Sequence, residues 1–263
     1  MKRFAIAFFA LLGAAFAVAM EAMPMPELQI ADATSSGCGA VNLAILRYGY
    51  SGGSAGVTHC DGANAFRGLE AGKFQLVLMD EALVPASFQG KKIPAFREVL
   101  VAYVNLRNRV QSVPKEKLVT VWCGIRPAWS AVGGDASDIH RYGIVAGRPG
   151  GDTIMELLKI RTPGMGVTWL NSTAEVVLYA SRDAAALSLG RYQEEYPGES
   201  VRVLAIDGVL PDRKNISSGK YPLMRRYVWL VSADGEEKVK KLLPFFTRDE
   251  FRRSLLEEDL LPE

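Results

Sequence analysis

The run Gln75-Leu76-Val77-Leu78-Met79, closed by Asp80-Glu81, decides the fold class of this chain. Leu76 to Met79 show no polar alternation over the length of a strand, so the run reads as a strand covered on both faces. A sheet of such strands needs helices on either side, and the chain supplies them outward from this point. Upstream, Glu27–Ala31 reads as a first strand, and the loop Thr34-Ser35-Ser36-Gly37 leads into a helical segment at Ala40–Tyr48. A second glycine-rich turn, Tyr50-Ser51-Gly52-Gly53-Ser54-Ala55-Gly56, leads into a segment through Leu69. Downstream, Val99–Asn105 is a β-branched and aromatic strand, Arg107–Pro114 a polar crossing point, Lys115–Trp122 a helix and Trp129–Gly134 a surface loop. Tyr142–Ala146 reads as a strand ending on Gly147-Arg148-Pro149-Gly150-Gly151-Asp152-Thr153, which opens the helix Ile154–Lys159. Val201–Ile206 and Arg226–Val231 are clear strands separated by a long loop, and Glu236–Phe246 and Arg248–Leu256 pattern as closing amphipathic helices. The class is α/β, and in such sheets ligands gather at the carboxyl ends of strands, beside helix N-termini.

The 263 residues suffice for one large α/β domain or two lobes. Lys2 and Arg3, the apolar run Phe4–Val18 and the small residues Ala17-Val18-Ala19 predict a cleaved secretory signal over residues 1–19. The run is short for a membrane span of about 20 residues, and no cysteine near the junction offers a lipid anchor. Beyond Lys2 and Arg3, 29 basic residues balance 29 acidic ones. A neutral mature chain argues against a nucleic-acid partner, which wants a basic face. The expected place is the periplasm or outside the cell, without membrane insertion of the mature chain. Cys38, Cys60 and Cys123 are odd in number; a Cys38–Cys60 bridge and three small buried thiols are both open. With His59 and His140 the only histidines and no C-x-x-C, no metal site is expected.

Three loops, Ser35-Ser36-Gly37, Gly52-Gly53-Ser54 and Gly150-Gly151-Asp152-Thr153, precede segments read as helices. Backbone N–H groups at a helix start hold an oxyanion without a full opposing charge. Arg148 ends a strand and suits a two-pronged grip on such an anion. Asp80, past an apolar strand, serves either as a helix cap or as acceptor of a ligand proton. Asp152 is likewise a natural N-cap. Catalysis is not expected. His59-Cys60-Asp61, close to Ser54, are sequence neighbours, whereas triads assemble from separate strand ends. The glycines form neither a dinucleotide fingerprint nor a P-loop, so no cofactor is expected.

Near the end of the chain stand Ile206-Asp207-Gly208-Val209, Pro211, Asn215-Ile216 and Gly219-Lys220-Tyr221-Pro222-Leu223-Met224-Arg225-Arg226. This stretch resembles the Gly-x-Tyr-Pro-Leu-x-Arg segment of the phosphate-binding subunits of ABC importers, periplasmic binding proteins of type II. Tyr50–Gly56, Ile93–Asn105 and Val121–Gly134 resemble further stretches of that family in order. The resemblance implies two α/β lobes, each a mixed sheet flanked by helices, with residues 24–105 plus 202–263 in one and 106–201 in the other. It implies a monomeric receptor for phosphate or another small oxyanion that serves an ABC permease. Its ligand set would be Ser36, Gly37 and Cys38 in the first loop, Ser54 in the second, Asp80 as proton acceptor, and Arg148, Gly151, Asp152 and Thr153 around the third. Cys38 stands where a hydroxyl is usual, the third loop is one residue short, and Asp152 adds a carboxylate that would repel a dianion unless turned away as a cap. The alternative is an exported protein of the same fold with a degenerate site and a structural, adhesion or regulatory role.

Overall fold

In a computed structural model, residues 26–34, 38–124, 127–193, 200–233 and 235–263 are described; the signal read over residues 1–19 lies outside them, as do Ser36 and Gly37. Among the described residues no helix is long and apolar enough to cross a membrane.

The run that decided the fold class forms β3 (Leu76–Asp80), inside a half-sheet built from β1 (Leu28–Asp32), β2 (Ala55–His59), β11 (Met224–Val231) and the first part of β4 (Lys91–Asn105), ordered β2-β1-β3-β11-β4. β1, β2 and β3 are parallel, and β11 runs antiparallel to β3 and β4. Leu76 and Leu78 face a core with α1 (Gly39–Tyr50) and α8 (Asp249–Glu257), whereas Val77 and Met79 face a second core with α2 (Gly62–Glu70). Burial on both faces is why β3 has no polar alternation. In α1, Val41, Ala44, Ile45 and Tyr48 recur on one buried face at helical spacing.

β4 is fifteen residues long and runs through both halves of the molecule. Its first part pairs with β11, and Leu100–Val104 pairs with β8 (Ala186–Arg191). The second half-sheet continues through β6 (His140–Ile144) to β7 (Val167–Leu170), both parallel to β8. Around it lie α3 (Lys115–Cys123), α4 (Gly151–Leu157) and α5 (Thr173–Arg182). Trp122, fully buried, meets Trp169 edge to face at 6.4 Å.

The segment expected as one strand at Val201–Ile206 is two: β9 (Val201–Val203) pairs with β4, and β10 (Ala205–Ile206) pairs with β5 (Ser112–Val113). The long loop after it contains α6 (Arg213–Ser217). Leu204, Ile206, Ile216, Tyr221 and Leu223 pack into the core of the second half. This corrects the expected return to the first lobe at residue 202: the chain re-enters the first half-sheet only with β11. Trp129, expected in a surface loop, is buried in a 3-10 turn. Before α8 the chain forms α7 (Glu236–Val239) and a 3-10 turn, and it ends in β12 (Leu261–Pro262), which pairs with β4.

Candidate functional site

β1, β2 and β3 are parallel, so Asp32, His59 and Asp80 reach one end of the first half-sheet together. There His59 and Asp80 face the start of α4 across a cleft of about 1440 Å³. From the first half the walls take Thr34, His59 to Gly62, Asp80 to Leu83 and Arg225 to Tyr227; from the second they take Lys115, Asp152, Glu156, Lys159 and Tyr221 among others.

Two helix starts at this end, those of α1 and α2, are served by carboxylates of the chain itself. At α1, the Cys38 N–H donates to Asp32 Oδ2 at 3.1 Å, and the Gly39 and Ala40 N–H groups donate to Glu258 at 3.3 and 2.6 Å. Asp32 is fully buried; its Oδ1 accepts from the Thr34 N–H at 2.9 Å and hydroxyl at 2.6 Å, and His59 Nδ1 lies 3.4 Å from Oδ2. At α2, Asp61 is the N-cap and accepts from the Asn64 N–H at 2.8 Å, a satisfied helix donor of the usual kind. At the third loop, Asp152 Oδ2 accepts from the Gly147 N–H at 3.1 Å. The carboxylate turns back on its own loop while still bordering the cleft, and the N-cap of α4 is Gly150, with no side-chain cap bond.

Asp80 ends β3 half-buried and caps the 3-10 turn after it, accepting from the Ala82 N–H at 2.9 Å. Burial pushes its carboxyl up from the usual range, against the pull of that N–H and of Arg225. Arg225 lies on β11 in register with Glu98 of β4, its side chain only 10% exposed. It forms an ion pair with Glu156 of α4 and a 3.2 Å bond to Tyr227 Oη. Burial works against its charge, but Tyr227, Glu98 and Glu156 together hold the guanidinium pKa above its ordinary value.

No protein-family model and no curated protein sequence matches the chain. Solved structures do. An ABC-type phosphate transport receptor from Vibrio cholerae superposes with a TM-score of 0.70 at 17% identity, over 90% of this chain and 100% of that one. PstS from Borrelia burgdorferi gives 0.69 at 16% identity, over 89% of this chain and 98% of that one. The chain has their two-lobed binding-protein fold.

Within this binding-protein fold the expected ligand set separates. Asp80 and Asp152 border the cleft. Ser54 does not: it precedes β2, and its carbonyl accepts from the Leu28 N–H at 3.1 Å, at the opposite end of the sheet. The glycine turn before it leads into a strand rather than a helix, so the loop after β2 that reaches the cleft is Cys60-Asp61. Cys38 is buried at the α1 start, with its thiol pushed well above the usual range by burial. Thr153 is buried in the first turn of α4, beside Gly151, whose N–H donates to the Arg148 carbonyl at 2.8 Å. Arg148 is exposed just before α4, and among the described residues its side chain has no ion-pair partner. Cys38, Cys60 and Cys123 are free thiols. Among the described residues no group of three or more His, Cys, Asp or Glu is placed to hold a metal ion. The sequence reading missed Arg225 and Glu156 as cleft residues. The Leu-x-Arg ending of the Tyr221–Arg226 segment was the available signal for Arg225.

Proposed function

We propose that the chain is an extracytoplasmic solute-binding protein whose cleft captures phosphate or a similar tetrahedral oxyanion for an ABC permease, and that it catalyses no reaction. One observation carries this reading: at the strand ends of a two-lobed binding-protein fold, a carboxyl of raised proton affinity, Asp80, shares the cleft with a half-hidden cation, Arg225. An ionised Asp80 accepts the proton of a partly protonated phosphate; sulfate has no proton to give and meets an unpaired carboxylate instead. Arg148, next to the α4 start, is the rim cation that turns inward as the lobes close.

Asp80→Asn is expected to weaken phosphate binding by about 10- to 100-fold and to strengthen sulfate binding, since one charged hydrogen bond is exchanged for another. Paired titrations with the two ions read the ratio, and an unchanged ratio removes Asp80 from the selecting role. Arg148→Ala is expected to cost about 1.5–3 kcal/mol of phosphate affinity, on the scale of a charged hydrogen bond. Equal affinity of wild type and variant would take Arg148 out of the site.

A second reading, an exported protein of this fold acting through protein contacts, is favoured by one specific observation. Asp32, Glu258 and Asp61 already take helix-start donors at α1 and α2. Thermal melts that stay flat across phosphate, sulfate, arsenate and vanadate would favour it, because a ligand bound to the native state alone raises the melting temperature.

A further inference from the structure

The cations bordering the cleft are not equivalent. Lys115 Nζ donates to the Pro222 carbonyl at 3.4 Å, and Arg226 is held by Glu81 at 3.3 Å and Glu263 at 2.9 Å. Lys159 is exposed. Arg225 alone of these reaches from the first half-sheet to an acid of the second: its guanidinium pairs with Glu156, which projects from α4 and is about half exposed. Its other arm enters a chain of polar groups that crosses the molecule. Arg225 Nη1 donates to Tyr227 Oη, and Tyr227 Oη donates to Glu98 Oε2 at 3.4 Å. Glu98 Oε1 accepts from Arg191 Nε at 2.8 Å and Nη2 at 2.5 Å. Arg191 Nη1 then donates to the Glu258 carbonyl at 2.7 Å, in the residue whose carboxylate holds the α1 start.

We propose that Arg225 is the cation that receives the ligand's charge, and that Glu156 is a built-in competitor which latches the two halves together until an oxyanion displaces it. The two roles share one guanidinium. A carboxylate and a phosphate oxygen present the same acceptor chemistry to its fork, so they compete for it. A half-exposed Glu156 returns to water with little desolvation cost, whereas Arg225 stays in place under its contacts with Tyr227. The ligand then exchanges one partner of an existing ion pair and leaves no buried charge unpaired. The proposal rests on the cleft being the oxyanion site proposed above, and its test keeps the two apart.

The test uses Glu156→Gln and Arg225→Met, each first shown to be folded by circular dichroism. Inorganic phosphate is titrated calorimetrically into dialysed protein, and small-angle scattering is recorded without ligand. Removing the competitor is expected to tighten phosphate binding by Glu156→Gln about tenfold, and removing the receiver to weaken it in Arg225→Met by at least about thirtyfold. Unchanged or weaker binding by Glu156→Gln overturns the latch, even if Arg225→Met fails to fold. Should wild type give no heat with phosphate, the oxyanion reading of the cleft fails by itself, and scattering decides the latch. A larger ligand-free radius of gyration for Glu156→Gln than for wild type then supports it; identical radii overturn it.

Discussion

Glu98→Leu is expected to cost about 3–5 kcal/mol of stability, because it strands a buried guanidinium. Glu98 and Arg191 are 2% and 4% exposed, and their pairing joins β4 to β8 where the two half-sheets meet. With leucine at 98, Arg191 keeps its bond to the Glu258 carbonyl but loses its counter-charge in a site closed to water. At this chain length the loss corresponds to a fall in melting temperature on the order of 10 °C. The double variant Glu98→Leu/Arg191→Leu is expected to recover most of it, since apolar groups of similar volume replace a buried pair at little cost. Calorimetric melts of the two variants check this. A single variant within about 1 kcal/mol of wild type would mean that Arg191 reaches water in the native state.

The second large effect is expected at Gly151→Ala. A Cβ there would lie 2.0 Å from the Val145 carbonyl oxygen and 2.7 Å from its carbon, both backbone atoms with no side-chain freedom to yield. Either the Val145–Gly150 loop moves or α4 backs away, a strain of about 1–3 kcal/mol or more by the standard of overpacked interiors. α4 carries Asp152 and Glu156 on the cleft wall, so the substitution is expected to weaken phosphate binding together with stability. Gly147→Ala is the control for added bulk alone: open space surrounds that position, although its φ of +78° adds backbone strain. Melting temperatures and phosphate titrations of both variants separate crowding of the α4 start from a general loop effect. A Gly151→Ala protein that melts and binds like wild type would show that the loop shifts without consequence.

How far the sequence could be read follows from which signals are local. β3 was legible because Leu76–Met79 is apolar on both faces, and α1 because its small and branched residues recur at helical spacing. β2 was not. It lies at the sheet edge, pairs with β1 alone, and spells Ala-Gly-Val-Thr-His, with too little apolar content to stand out from a turn. Missing that strand reversed the sense of its flanking loops and put Ser54 in the site in place of Cys60-Asp61. The occupation of the α1 start was hidden for a different reason. Glu258 comes from 218 residues further along than Ala40, and no spacing rule links the two. Glu156 shares this difficulty, since it looks like an ordinary charged residue until the fold brings β11 and α4 together. Asp152 was readable as an N-cap, but the structure gives that place to Gly150 and puts Asp152 in the first turn of α4, where its carboxylate accepts from the Gly147 N–H of the preceding loop.

The central claim is that this cleft takes up a phosphate-like anion. Isothermal titration of the dialysed protein with inorganic phosphate, with sulfate as the control, tests it most directly. Saturable heat with phosphate at micromolar concentrations, and none with sulfate, is the predicted result. A protein that melts cooperatively yet gives no heat with either ion would contradict the claim.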